Sequence, residues 1–119
     1  LLTNGIKKSY NNNMKTLRSD EVGLKQQGTC YQDTIRTSYF NLIELFGLPT
    51  FGRGDKTLCE WVLQDRFGDV ATIYDWKSNV NDPEFVSDWH IGGHDHSYRF
   101  IQEIKEKIKK KVDSLNLVC

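Results

Sequence analysis

TLCEWVLQDRFGDVATIYDW, residues 57–76, sets two runs rich in β-branched and aromatic residues on either side of RFGD; whether they pair decides the fold. Gly68 can take the positive φ of a tight turn, so the reading is an antiparallel hairpin. With Phe67 and Gly68 as a two-residue loop, Trp61 stands opposite Tyr74, Val62 opposite Ile73 and Glu60 opposite Asp75. Side chains alternate between faces, so Cys59, Trp61 and Leu63 share a face with Thr72, Tyr74 and Trp76. That aromatic face is the expected core, and the face bearing Glu60, Val62, Ile73 and Asp75 is the expected outside.

Outward from the hairpin, FVSDWHI (85–91) alternates as a third strand, with Phe85, Trp89 and Ile91 on one side and Val86, Asp88 and His90 on the other. SNVNDPE before it reads as loop. From Tyr98 onward Ile101, Ile104, Ile108, Val112 and Leu115 recur at helical spacing, and lysine and glutamate fill the opposite face. The basic run Lys109–Lys111 suits the C-terminal half of that helix as a solvated, dipole-complementing end. Toward the N-terminus, Ile35, Tyr39, Leu42, Ile43 and Phe46 also recur at helical spacing. They predict a helix from Asp33, capped by Asp33 or Thr34 and stopped by Gly47 and Pro49. Residues 1–32 keep no period and contain Gly5, Gly23 and Gly28, which predicts an irregular N-terminal arm with at most a short strand. Asn11–Asn13 read as loop within it. Met14 is the only methionine, which leaves residues 1–13 as candidate upstream or vector-derived sequence. The expectation is therefore an α+β fold: an arm over 1–32, then a single domain over 33–119 with a small antiparallel sheet of three or more strands packed against two helices.

Composition restricts function. The chain has 119 residues, enough for one core, with 38% hydrophobic, 12% aromatic and 27% charged side chains. Sixteen basic and sixteen acidic residues cancel, so no overall field draws the chain to nucleic acid or anionic membrane, and nucleic-acid binding is not expected. Its apolar runs are too short for a membrane span and no export signal is visible. Cys30, Cys59 and Cys119 leave at least one thiol unpaired and lack metal-knuckle spacing, which fits reduced thiols and an unexported protein. No cofactor signature is present.

Three places could carry chemistry. Glu60 and Asp75, as neighbours on one sheet face, would repel unless screened, protonated or bridged, with Lys56 and Lys77 nearby and His90 able to join them. Such a set could do acid–base work or, with a divalent metal, hydrolysis; an exposed face with ordinary salt bridges is the competing reading. Secondly, WHIGGHDHS (89–97) offers imidazoles at His90, His94 and His96, chemically suited to zinc, nickel or copper but without a fourth protein ligand. The same stretch also places Gly92 and Gly93 before a helix start. There their N–H groups, with His94, His96, Ser97 and Arg99, could hold a phosphate, or could simply turn the chain. Thirdly, Trp76 and Trp89 are either core or a stacking wall for a base. Cys59 lies within a strand, and neither a nucleophile elbow, a zinc-protease helix nor a P-loop occurs.

TSYFNLIELFGLP (37–49), CEW (59–61), ATIYDWK (71–77) and WHIGG (89–93), taken together, resemble a group of small accessory proteins of tailed phages and large DNA viruses. The likeness covers roughly residues 34–100. It implies a viral accessory protein in the infected cell's cytoplasm or in the virion, and it carries over neither an activity nor functional residues. The resulting expectation is a non-enzymatic viral accessory binding protein acting on a host component, a nucleotide-like ligand or a virion protein. A small metal-dependent hydrolase or nuclease using Glu60, Asp75 and His90 is the alternative, and a structural or virion component, with homo-oligomer contacts, a further one.

Overall fold

A computed structural model describes residues 14–118; the Asn11–Asn13 loop and Cys119 lie outside them. The elements run β1 (Met14–Thr16), α1 (Ser19–Val22), β2 (Cys30–Arg36), α2 (Tyr39–Phe46), β3 (Glu60–Asp65), β4 (Val70–Tyr74), β5 (Asp88–Gly93) and α3 (Tyr98–Val118). Short 3-10 turns at Pro83–Phe85 and Asp95–Ser97 precede β5 and α3. All five strands form one antiparallel sheet in the order β1-β3-β4-β5-β2, so the fold is α+β. No helix of the described residues is long and apolar enough to cross a membrane.

The hairpin forms where the sequence placed it, one residue out of the expected register. Asp65 Oδ1 accepts from the Phe67 and Asp69 amides, each at 2.9 Å, and Gly68 takes φ 89°. The loop is thus Arg66-Phe67-Gly68, three residues with a left-handed glycine last, and Glu60 pairs Tyr74 while Trp61 pairs Ile73. A one-residue slip exchanges faces for the whole of one strand relative to the other. Tyr74 and Thr72 therefore join Glu60 and Val62 on one face, and Ile73 and Ala71 join Trp61 and Leu63 on the other.

That second face is the core. Trp61, Leu63, Ala71, Ile73, Trp89 and Ile91 are fully buried there with Leu42 and Phe46 of α2 and Phe100, Ile101, Ile104 and Ile108 of α3. Trp61 and Trp89 meet edge to face with ring centres 5.5 Å apart, and each indole N–H finds a carbonyl at an end of α2. Trp89 donates to Thr37 O at 3.1 Å and Trp61 to Gly47 O at 2.9 Å, so two aromatic side chains fasten both ends of one short helix to the sheet. Leu115, expected on the apolar stripe of α3, is 47% exposed.

Three further expectations are corrected. The helix expected from Asp33 begins at Tyr39, with Ser38 Oγ accepting from Asn41 N at 3.1 Å; residues 30–36 form the edge strand β2. Ile35 contributes to the core from that strand, and its four-residue spacing to Tyr39 only imitates a helix. The boundary at residue 33 falls inside β2, and the expected irregular arm supplies, over 14–32, one edge strand, a helical turn and part of the other edge strand. Leu17 and Val22 pack with Val62 and Val70 on the sheet face away from the helices, so the 17–29 connection is a strap lying over that face. Lastly, Phe85 is 72% exposed on its 3-10 turn, while Val86 rather than Phe85 enters the core beside Trp89.

Candidate functional site

The face away from α2 and α3 carries a row of polar and aromatic side chains. Strand pairing sets Glu60 beside Tyr74, Tyr74 beside His90 and His90 beside Thr34, one residue from each of four strands. Ring centres lie 5.4 Å apart for Tyr74 and His90 and 6.3 Å for Tyr74 and Trp76, both edge to face. The row extends to Tyr31, whose ring is 4.9 Å from that of His90. Tyr31 and Thr34, three apart, would ordinarily face opposite ways; a β-bulge between Tyr31 and Asp33 restores them to one face, where their hydroxyls meet at 2.8 Å. The bulge's spare residue, Gln32, donates instead to the Gly93 carbonyl at 3.2 Å. Tyr31 and Trp76, the two ends of the row, remain 53% and 45% exposed.

Electrostatics at the row follow from partial burial. Glu60 is half-buried with Gln26 Nε2, from the strap, donating to Oε2 at 2.8 Å. Loss of hydration raises the Glu60 pKa, against the lowering effect of that hydrogen bond. Tyr74 is likewise raised, first by burial, then by the Glu60 charge and by Tyr31 and Cys30. At its Trp76 end the row meets two cations, Lys56 Nζ 5.3 Å and Lys77 Nζ 5.6 Å from the indole centre.

The expected acid–base set comes apart. Glu60 and His90 share the outer face, as expected, but Asp75 follows the corrected register to the other side. There its carboxylate is 1% exposed and holds a turn together: Oδ1 accepts from Leu58 N at 2.7 Å and Cys59 N at 3.3 Å, and Oδ2 from Ser78 Oγ at 2.7 Å. Cys59 is buried beside it, and burial, with the neighbouring Asp75 and Glu60 charges, pushes its thiol up to about 12, far from a thiolate nucleophile.

The glycine-histidine stretch is also rearranged. Gly92 and Gly93 are not a loop but the end of β5, an inner strand that pairs both residues with β2 and with β4, so their backbone groups face sheet neighbours on both sides. Close approach calls for glycine at Gly92 and favours it at Gly93. A Cβ at Gly92 would sit 2.7 Å from Thr72 Oγ1 and 3.2 Å from Cys30 O, and one at Gly93 would meet Ile101 Cδ1 at 2.8 Å. Ser97 is fully buried, with Oγ lacking a hydrogen-bond partner among the described residues, and Arg99 lines a groove on α3 with Met14, Gln102 and Glu103. The expected phosphate cradle of Gly92, Gly93, His94, His96, Ser97 and Arg99 is therefore not assembled. His94 and His96 stack in parallel at 5.3 Å, His94 Nε2 facing Lys25 O at 3.3 Å and His96 Nε2 lying 3.6 Å from Asp69 Oδ1. His90 sits apart among the tyrosines, so the three imidazoles do not converge. Among the described residues no three His, Cys, Asp or Glu side chains are grouped to hold a metal ion.

Of the aromatic candidates, Trp89 is core and Trp76 is at the surface, one of the two readings for each. Sequence reasoning missed Tyr74, Tyr31 and Gln26. The D-x-x-G spacing of Asp65 and Gly68, which signals a three-residue loop, would have placed Tyr74 correctly. Comparison with family models, with curated proteins and with solved structures finds no match.

Proposed function

We propose that the chain is a non-enzymatic viral accessory binding protein whose ligand is nucleotide-like, held on the outer sheet face. The observation that carries this is the unbroken row Trp76, Tyr74, His90 and Tyr31 with Glu60 at its side. Flat aromatic rings on a rigid sheet offer stacking to any planar base, worth about 1–3 kcal/mol per base. A half-buried carboxyl group beside them can accept from ring N–H and amino groups, or donate when protonated, which gives the stacked ring an orientation. Exposed ends and half-buried middle members leave ring surface open to a small ligand, and the viral assignment rests on the FG-x-P, EW, ATIYDWK and WHIGG segments. The hydrolase alternative loses support because Asp75 serves the fold on the opposite side of the sheet.

Isothermal titration against nucleosides and nucleotides, alongside a pull-down from host lysate, tests the reading. Saturable binding that Tyr74→Ala abolishes while leaving the folded far-UV spectrum intact is the expected result. No heat with any nucleoside or nucleotide, together with turnover of a phosphodiester or other substrate, would overturn it.

A further inference from the structure

Beyond Trp76, the loops around residues 53–58 and 75–81 enclose a hollow of about 410 Å³. Arg53, Lys56 and Lys77 are its cations; Asp55 and Asp75 are its acids. Asp75 already accepts from two buried amides and a serine hydroxyl, and Asp55 is exposed to water. Arg53 Nη2 donates to the Asn81 carbonyl at 2.7 Å, which ties the guanidinium to the far wall. None of the three cations forms an ion pair with an acid of the described residues.

The backbone holds two of these cations together. Lys77 N donates to Lys56 O at 2.8 Å, and Lys77 is the one non-glycine among the described residues with positive φ, at 50°. A left-handed lysine costs about 1 kcal/mol or more, and such cost concentrates where a binding geometry is imposed. Nζ of Lys56 lies 5.3 Å and Nζ of Lys77 5.6 Å from the centre of the same Trp76 indole, so both residues that line the hollow also reach the end of the row. An anion at that junction can accept charge-assisted hydrogen bonds from lysine ammonium groups.

We infer that this hollow is a phosphate subsite, and that it takes the phosphate of a nucleoside phosphate whose base lies across Trp76 on the Tyr74 and His90 rings. The inference rests on the nucleotide-like reading of the sheet face and adds to it the ligand's charged end and its polarity along the row: phosphate toward Lys56 and Lys77, base toward Glu60.

The test titrates the full chain at low salt with the four common ribonucleoside 5′-monophosphates, their parent nucleosides and inorganic phosphate, following heat and the total tryptophan fluorescence. Wild type is compared with the Lys56→Gln, Lys77→Gln double variant and with Tyr74→Ala. At least one monophosphate binds about tenfold more tightly than its nucleoside, a margin of about 1.4 kcal/mol. The double variant loses that margin and keeps the nucleoside affinity, and added salt narrows it in wild type. Nucleosides binding as well as their phosphates, or a margin that survives the double variant, overturns the subsite and leaves the sheet-face reading standing. Inorganic phosphate binding without any nucleoside binding overturns the nucleotide assignment, and silence with every probe overturns both.

Discussion

Replacing Asp75 separates two accounts of the same carboxylate. If it stood on the sheet face beside Glu60, removing it would relieve like-charge repulsion and raise stability. In the structure it holds a turn and is only 1% exposed, so Asp75→Ala leaves the Leu58 and Cys59 amides without their side-chain acceptor. A buried donor left unsatisfied costs about 1–3 kcal/mol. The 2.7 Å bond to Leu58 N belongs at the upper part of that range and the 3.3 Å bond to Cys59 N at the lower, while Ser78 can turn to water. The sum is about 3 kcal/mol. A domain of 119 residues has an unfolding entropy near 0.25 kcal/mol per degree, by the usual per-residue value of about 2.1 cal/mol/K, so Tm falls by about 12 °C. Asp75→Asn keeps Oδ1 as acceptor and loses the charge, costing about 1 kcal/mol, or about 4 °C. Urea denaturation and thermal melts followed by circular dichroism measure both. An alanine variant within about 0.5 kcal/mol of wild type, or above it, would refute the reasoning.

Gly92→Ala should cost more than Gly93→Ala, about 3 against about 1–2 kcal/mol, because the first new methyl group meets a backbone carbonyl as well as Thr72, whereas the second presses only on the movable end of Ile101; paired denaturation curves rank them. Glu60→Gln should stabilise at neutral pH: a carboxyl group raised by burial in the folded state contributes stability below its unfolded value and loses it as pH rises through the folded value. The gap between variant and wild type should therefore close below about pH 4.3, and a gap independent of pH would contradict the assignment. Thiol labelling of the native chain at pH 8, read by peptide mass spectrometry, should modify exposed Cys30 and spare Cys59 until denaturant is added, since Cys59 is buried and its pKa stands at about 12.

Local pattern carried much of this fold. The Ile101, Ile104 and Ile108 spacing gave α3, Gly47 and Pro49 marked the end of α2, and the alternation around Trp61, Trp89 and Ile91 marked core positions that are fully buried. What escaped was either a count of one or a pairing at long range. Taking two loop residues instead of three between β3 and β4 moved Tyr74 and Asp75 to each other's face, and with them the composition of the site. Met14 pairs Asp65 and Ile35 pairs Trp89, contacts across some fifty residues that no window of periodicity reports. Gly92 and Gly93 read as a loop because glycine signals flexibility and close packing alike, and only the neighbours Thr72 and Ile101 decide between them. Glu60 and His90 were placed on a shared outer face; the tyrosines that join them needed the true register and the bulge.

The strand order also fixes when the molecule can be finished. β1 and β2 leave the ribosome first, yet they occupy the two flanks of the sheet, and their partners are made only at residues 60–65 and 88–93. Between them the strap must cross about 19 Å of a sheet that does not exist while the strap itself is being synthesised. The β3-β4-β5 meander, built from short sequence separations, is the surface on which both early ribbons later settle. A nascent chain halted short of Gly93 leaves β2 without its β5 partner, so the strap can be drawn across its part of the outer face only after β5 has been made.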